Sequence, residues 1–336
     1  AYVCCVGAQT DLIFDGASMC FGSDGELVKV GNLYGEERFI FDTSEDTAPV
    51  SISDEVFEEE IINSLVTGIR DYAVKSGFSK ALIGLSGGID SAIVTWLAVQ
   101  ALGKDNVHVV LMPSKYSSEG SVNDSLKLIQ NLGISHDTIS IQPVVDKLLE
   151  VMTPYFGGLA PDITEENMQS RTRGLYLMSL ANKFRYLLLT TGNKSEMATG
   201  YATLYGDMCG ALAVIADVYK TDIYRLSRYI NRNGEVIPDE IITKAPSAEL
   251  KPDQKDQDTL PPYEVLDTIL KMYLEENKEI NEISAVVKDR ELVKRVLKMV
   301  DMNEFKRKQA APALRVSNKA FGYGRRFPIV QKWSRE

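Results

Sequence analysis

The sequence predicts an α/β protein: a doubly wound parallel sheet with flanking helices, preceded by a short β-rich segment. Two observations carry this. From residue 81 onward short apolar runs alternate with amphipathic stretches of helical length, the pattern of a parallel sheet covered on both faces. The first of those runs, Ala81-Leu82-Ile83, passes through a double glycine straight into an apolar-periodic stretch. That succession reads as strand, tight turn and helix.

Taken in order, residues 1–43 are β-rich, with short strands expected at 2–6, 12–14, 18–21, 27–30 and 38–41. Asp15-Gly16 and Asp24-Gly25 are hairpin signals between them. About forty residues of hairpins bury little surface alone, and the chain starts with Ala, so this segment is expected to be a remnant of a larger domain. Residues 44–54 are polar and acidic and read as a linker. Asp54 is the expected N-cap of a helix whose apolar face is Phe57, Ile61, Ile62, Leu65, Val66, Ile69 and Tyr72. From there a single domain is expected over 55–336. Its strands fall at 81–85, 107–112, 138–141 and 186–190, and its helices at 91–102, 120–132, 144–152, 165–184 and 220–232. Residues 235–262 lack periodicity and are rich in proline, as a lid or a surface loop would be. Amphipathic helices follow at 263–276 and 284–301. The basic, aromatic tail around Lys306 and Arg325 fits an RNA contact or, better at this overall charge, a docked tail or dimer contact.

Composition narrows the function. With 336 residues, 44% hydrophobic, the chain can bury a substantial core in two domains at most. A formal charge of −10 argues against a nucleic-acid-coating role. There is no long apolar run, so a membrane partner is not expected, and a cytoplasmic protein is. The cysteines at 4, 5, 20 and 209 form neither a CxxC pair nor a disulfide framework. The two histidines, His108 and His136, sit at strand edges, which disfavours a zinc site or a Ser-His-Asp triad.

The chemistry concentrates in Gly84-Leu85-Ser86-Gly87-Gly88-Ile89-Asp90-Ser91. Adjacent glycines let backbone approach a ligand closely. The amides at the following helix start, with the helix dipole, favour an anion, and Ser86 and Ser91 add hydroxyls. The loop lacks the lysine of a P-loop and the spacing of GxGxxG. It has Asp90 instead. A carboxylate beside a phosphate needs a cation between them, which points to Mg²⁺. In parallel sheets ligands bind at the carboxyl ends of strands. Here those ends are 86–91, 113–118 and 191–196, all polar.

Ser86-Gly-Gly-Ile-Asp-Ser91 is similar to the SGGxDS loop of the PP-loop ATP pyrophosphatases, whose fold is of the adenine nucleotide alpha-hydrolase type. Residues 55–336 resemble the synthetase domain of the glutamine-dependent NAD synthetases. The segments that carry this are Met112-Pro-Ser-Lys-Tyr-Ser-Ser, Asn167-Met-Gln-Ser-Arg-Thr-Arg, Thr191-Gly-Asn-Lys-Ser-Glu196, Leu204-Tyr-Gly-Asp207, Lys220-Thr, and Ser247-Ala-Glu-Leu with the Asp253-Gln and Asp258-Thr-Leu-Pro-Pro-Tyr segments after it. Residues 1–43 look like the last strands of that family's nitrilase-like glutaminase domain, without its Glu, Lys and Cys. The resemblance implies ATP-dependent amidation of deamido-NAD through an adenylated intermediate, with ammonia as this chain's nitrogen donor and glutamine as that of a longer parent. It assigns Asp90 and Glu196 to Mg²⁺, and Gly84 through Ser91, Thr191, Lys220 and Ser247 to ATP. Asn167, Arg171, Glu196, Asp207 and Lys306 fall at deamido-NAD positions. Tyr201 either stacks on a pyridine ring or packs in the core. Part of the family's substrate site comes from a second subunit, which implies a homodimer. Leu111, Ser117 and Ala211 depart from the ammonia-only members and agree with the glutamine-dependent branch. The rivals are another PP-loop ligase, such as a GMP synthetase-like or tRNA-modifying enzyme, and a nucleotide-binding regulator without turnover.

Overall fold

The computed structural model describes residues 1–42, 44, 48–51, 56–252 and 254–331. The expected cap Asp54, most of the expected linker, and Asp253 lie outside them. The elements in order are β1 (Val6–Gln9), β2 (Leu12–Asp15), β3 (Met19–Phe21), β4 (Leu27–Val30), α1 (Phe57–Lys75), β5 (Ala81–Gly84), α2 (Ile89–Leu102), β6 (Val107–Leu111), α3 (Glu119–Leu132), β7 (Ser135–Thr138), α4 (Gln142–Met152) and α5 (Ile163–Phe184). The chain continues through β8 (Leu187–Thr190), α6 (Lys194–Thr199), β9 (Leu212–Ala213), α7 (Lys220–Ile230), α8 (Asp239–Thr243), α9 (Tyr263–Leu274), α10 (Ile280–Val287), α11 (Arg290–Met302) and α12 (Glu304–Arg307).

The sheet is parallel, ordered β7-β6-β5-β8-β9. Its period-2 alternation sorts side chains onto two cores. Ala81, Ile83, Val107, Val109, Leu187 and Leu189 face a core shared with α1, α2 and α7. Leu82, Val110 and Leu188 face the opposite core, shared with α4 and α5. The chain moves outward from β5 to β7, then crosses back to β8 on the other side of β5. That reversal places the switch point of the sheet at the end of β5, where the Ser86–Ser91 loop lies.

Several expectations need correction. Residues 38–41 form no strand, and the first strand runs over Val6–Gln9 rather than 2–6. Asp15-Gly16 is not a hairpin turn. The β1–β2 hairpin turns at Thr10-Asp11, with Thr10 in the left-handed region, whereas Asp24-Gly25 does join β3 to β4. The third strand of the main sheet lies at Ser135–Thr138, three residues before 138–141. It is an exposed edge strand with no apolar alternation to mark it, while the buried Ile141 opens α4. The expected helix at 284–301 is two: Lys288 takes a left-handed C-cap, and Asp289 caps α11 through the Leu292 amide at 2.9 Å. Residues 235–262 contain the short α8 and a single turn at Asp256–Asp258.

The β1–β2 ribbon docks on α1. Asp71 accepts from the Ala8 amide at 2.7 Å, Lys75 donates to the Ala8 carbonyl at 2.8 Å, and the Arg315 amide donates to the Asp11 carbonyl at 2.9 Å. No helix among the described residues is long and apolar enough to cross a membrane. His108 lies between Ser135 (2.8 Å) and Asp137 (3.1 Å) on the β6–β7 surface. This Ser-His-Asp contact does not line the cavity described next.

Candidate active site

A cavity of about 420 Å³ opens at the carboxyl ends of β5, β6 and β8. At its floor is the loop after β5. Gly87 has a φ of 78°, and a side chain there would collide with the Ser121 carbonyl, so both backbone shape and space require glycine. Gly88 precedes the first turn of α2, which carries Asp90. The serines brace the loop from within: the Ser86 and Ser91 hydroxyls are 3.1 Å apart, Ser91 donates to the Gly88 carbonyl at 3.0 Å, and the Gly88 amide donates to Ser86 at 3.2 Å.

Asp90 is met by two residues remote in sequence. Asn193 donates its amide to Asp90 at 3.1 Å, and the Lys220 ammonium forms a short hydrogen bond with the other carboxylate oxygen. The same ammonium lies 3.8 Å from Glu196. Asn193 and Glu196 form a capping box that opens α6, so one short motif places both side chains. Behind them Asp267 accepts from the Ser195 hydroxyl (2.5 Å) and the Thr221 amide (2.8 Å), and Ser195 accepts from the Lys220 amide (3.0 Å). The starts of α6 and α7 are thereby locked in register.

The electrostatics are lopsided. Asp90, Glu196 and Asp256 act on a single buried lysine. Burial, and then the Asp90 charge, push Glu196 well above the ordinary carboxylate range, with Lys220 opposing. Burial raises Asp256 too, against a 2.8 Å hydrogen bond from Tyr263. Burial alone would depress Lys220, but Asp90 and Glu196 outweigh it and hold the ammonium firmly charged.

A second group lines the same cavity. Asp207 accepts from the Thr203 amide (2.8 Å) and the Ser170 hydroxyl (3.3 Å), and Thr203 donates to Asn167 at 2.8 Å. Enclosure by protein pushes the Asp207 carboxyl up to about 6, although its outer face is open to the cavity. Lys306 donates to the Gly200 and Ala202 carbonyls at 2.7 and 2.8 Å, and burial lowers it. Tyr201 lines the cavity and also packs on the α9–α11 core.

Residues 245–250 cover one side. Ser247 lines the cavity, and Glu249 accepts from the Ser118 and Ser121 hydroxyls at 2.9 and 2.7 Å. Gln169 donates to the Leu250 carbonyl at 2.8 Å.

The expected site residues Gly84, Leu85, Ser86, Gly88, Ile89, Asp90, Ser91, Asn167, Thr191, Glu196, Tyr201, Asp207, Lys220, Ser247 and Lys306 all line this cavity. Gly87 lies just behind the wall. Arg171 does not reach it: the side chain is exposed and donates to the Leu204 carbonyl at 3.2 Å. Sequence reasoning passed over Asn193, Arg173, Glu249 and Asp256. Only Asn193 had a local signal, the Asn-x-x-Glu capping pattern.

The family model described as NAD synthase matches residues 61–310. A glutamine-dependent NAD(+) synthetase of Thermotoga maritima is 47% identical over 371 residues, covering 99% of this chain and 64% of its own. One from Synechocystis is 48% identical over 338 residues, covering 98% and 60%. Among solved structures, the glutamine-dependent NAD+ synthetase of Acinetobacter baumannii in complex with ADP superposes with a TM-score of 0.67 at 40% identity, covering 99% of this chain and 62% of that one. The chain thus spans about three fifths of the length of these relatives.

Proposed function

The chain belongs to the NAD synthase family, and on that premise we propose that it amidates deamido-NAD to NAD at the expense of ATP. The observation that carries the reading is the single cavity that joins the Ser86–Ser91 loop and the Asp90–Lys220–Glu196 cluster to the Asn167–Thr203–Asp207 group. One end suits a nucleotide's phosphates and the other a polar substrate.

In this reading a carboxylate oxygen of deamido-NAD attacks the α-phosphorus of ATP. The bond to the bridging oxygen breaks, and pyrophosphate leaves with that electron pair. Loop amides, the serine hydroxyls and Lys220 receive the growing charge. Ammonia then attacks the adenylated carbonyl, AMP departs, and the ammonia nitrogen loses a proton to give the amide. The protein supplies no covalent nucleophile. Asp90 and Glu196 would hold Mg²⁺. The donor set fits: two carboxylates, Asp90 and Glu196, converge on the one ammonium of Lys220 at the cavity wall. Two carboxylates completed by phosphate and water suit Mg²⁺. Among the described residues no three His, Cys, Asp or Glu side chains converge by themselves as a metal site. When bound, the ion would neutralise phosphate charge.

The finer assignments belong to the same proposal. ATP contacts the Gly84–Ser91 loop, Thr191, Lys220 and Ser247. Deamido-NAD lies against Asn167, Glu196, Tyr201, Asp207 and Lys306, with Arg171 at the rim. Residues 1–43 are the end of a glutaminase domain, 44–54 a linker and 55–336 the synthetase domain, so this chain uses ammonia and a longer parent uses glutamine. A homodimer is supported by exposed apolar residues before and along α5, namely Tyr155, Leu159, Ile163, Leu175 and Phe184. A cytoplasmic location belongs to the same proposal, supported by the free cysteines Cys4, Cys5, Cys20 and Cys209.

The test is pyrophosphate release and NAD formation with ATP, deamido-NAD, Mg²⁺ and ammonia. Turnover with ammonia and none with glutamine is expected. No turnover at all would favour a nucleotide-binding regulator, and NAD made from glutamine would overturn the assignment of residues 1–43.

A further inference from the structure

Helix α5 carries two arginines, Arg171 and Arg173, two positions apart. Helical geometry turns them to different sides. Arg171 is exposed. Arg173 points into the cavity and anchors its Nε–H on the Met112 carbonyl, 3.2 Å away at the end of β6. Among the described residues its two terminal nitrogens have no hydrogen-bond partner and form no ion pair, although they sit in a largely buried place. Glu249 and Asp207 are the acids near enough to act on its charge. Glu249, however, spends its carboxylate on Ser118 and Ser121, and Asp207 spends its own on Thr203 and Ser170. Burial lowers the guanidinium to about 10, so it stays cationic at neutral pH. A cation held in a protein wall without a paired anion is costly. A planar fork with its outer donors free is shaped for two oxygens of one anion.

We propose that Arg173 binds the phosphate that stays with adenosine: the α-phosphate of ATP and of the adenylated intermediate. This rests on the proposed reaction. Its position argues for the α-phosphate over the departing pair. The pyrophosphate end is served by the Ser86–Ser91 loop, which leads into α2, and by Lys220, the first residue of α7. Arg173 stands elsewhere, on the Met112 strand end. Gly84, directly before the loop, faces Leu177 (one turn along α5 from Arg173) and Met112 itself. Arg173 thus lies over the β5–β6 ends, on the helix that also carries Asn167 and Ser170 of the second group. Between those two ends the α-phosphorus exchanges its bond to the pyrophosphate oxygen for one to the carboxylate oxygen. Its two non-bridging oxygens keep their charge throughout, and these are what the fork would hold.

The test is equilibrium binding of adenosine, AMP and inorganic pyrophosphate to the full chain with Mg²⁺, comparing wild type with Arg173→Met and Arg173→Lys. The methionine variant should weaken AMP by about 10- to 100-fold, the range of a charge-assisted hydrogen bond. Adenosine and pyrophosphate should bind as before. The lysine variant, which keeps the charge but loses the fork, should weaken AMP less, and it carries the test if the methionine variant does not fold. Unchanged AMP affinity in a folded variant, equal losses for adenosine and AMP, or a loss for pyrophosphate alone would overturn the assignment. A wild type that neither binds AMP nor releases pyrophosphate would instead sink the proposed reaction.

Discussion

Replacing Lys194 with methionine should strongly destabilise this protein, although Lys194 does not itself line the cavity. Lys194 sits in the first turn of α6, two residues before Glu196, with its side chain fully buried. Its ammonium reaches Glu275 at 2.9 Å, Asp217 at 3.0 Å, the Ser317 hydroxyl at 2.5 Å and the Lys319 carbonyl at 3.1 Å, and lies 4.5 Å from the Tyr219 ring centre. Asp217 is equally buried and also accepts from the Val316 and Ser317 amides at 2.9 and 2.8 Å. Methionine keeps most of the stem's volume and removes the charge, so Asp217 and Glu275 are left facing each other without a cation. Breaking a buried pair from one side costs about 3–5 kcal/mol. Adding up each hydrogen bond separately would overstate it, because they share one donor group. Against a typical total of about 5–15 kcal/mol, that is a large fraction. Urea unfolding at neutral pH should show this loss as a lower midpoint with an unchanged slope. The double variant Lys194→Met, Asp217→Asn should recover about 1 kcal/mol or more, since it neutralises the orphaned carboxylate. A single variant within about 1 kcal/mol of wild type, or a double variant that is simply additive, would refute the argument that this cluster straps residues 315–319 to the start of α6.

Asp90→Asn should lower pyrophosphate release by at least about two orders of magnitude, the scale of losing one charge-stabilising group at a reacting centre. Near-normal turnover would remove Asp90 from the proposed role. Asp207 should impose a pH dependence on deamido-NAD binding. Its folded carboxyl takes up a proton near pH 6 rather than near the ordinary 3.8, so it is ionised above about 6 and neutral below. If the ionised form binds the substrate, affinity falls as pH drops through 6, and Asp207→Asn flattens the curve. Calorimetric titrations between pH 5 and 8 that run parallel for the two proteins would rule this out.

The parts of the fold that burial dictates were readable. Ala81-Leu82-Ile83, Val109-Val110-Leu111 and Leu187-Leu188-Leu189 are continuous apolar runs because both faces of the sheet are covered, and they stand where the runs said. What was lost lacked such a pattern. The Ser135–Thr138 strand is exposed along its length, and Leu212–Ala213 is too short to show any period. The break between α10 and α11 rests on Lys288 adopting a left-handed conformation that glycine usually marks. The arginine choice was equally hidden. Asn167-Met-Gln-Ser-Arg-Thr-Arg offers two cations at alternate positions, and only the packing of α5 on the sheet decides that Arg173 rather than Arg171 faces the cavity.

The central loop shows most clearly what sequence could and could not say. The missing lysine in Ser86–Ser91 pointed to a carboxylate-and-cation arrangement in its place. The lysine is nonetheless present, supplied by the first residue of α7, and its ammonium rests on Asp90. Such a lysine can follow a phosphate only by giving up part of its hold on that carboxylate. Asp90, once released, has among the described residues only the Asn193 amide as a remaining partner, on its other oxygen. The proposed divalent ion would fill that gap and offset the Asp90 charge, which adds to burial in pushing Glu196 upward. Under the proposed Mg²⁺ assignment, the Lys220 ammonium lies against the same two carboxylates, Asp90 and Glu196, that would hold the ion. Nucleotide and metal should then bind with mutual reinforcement, because each removes the electrostatic obstacle to the other.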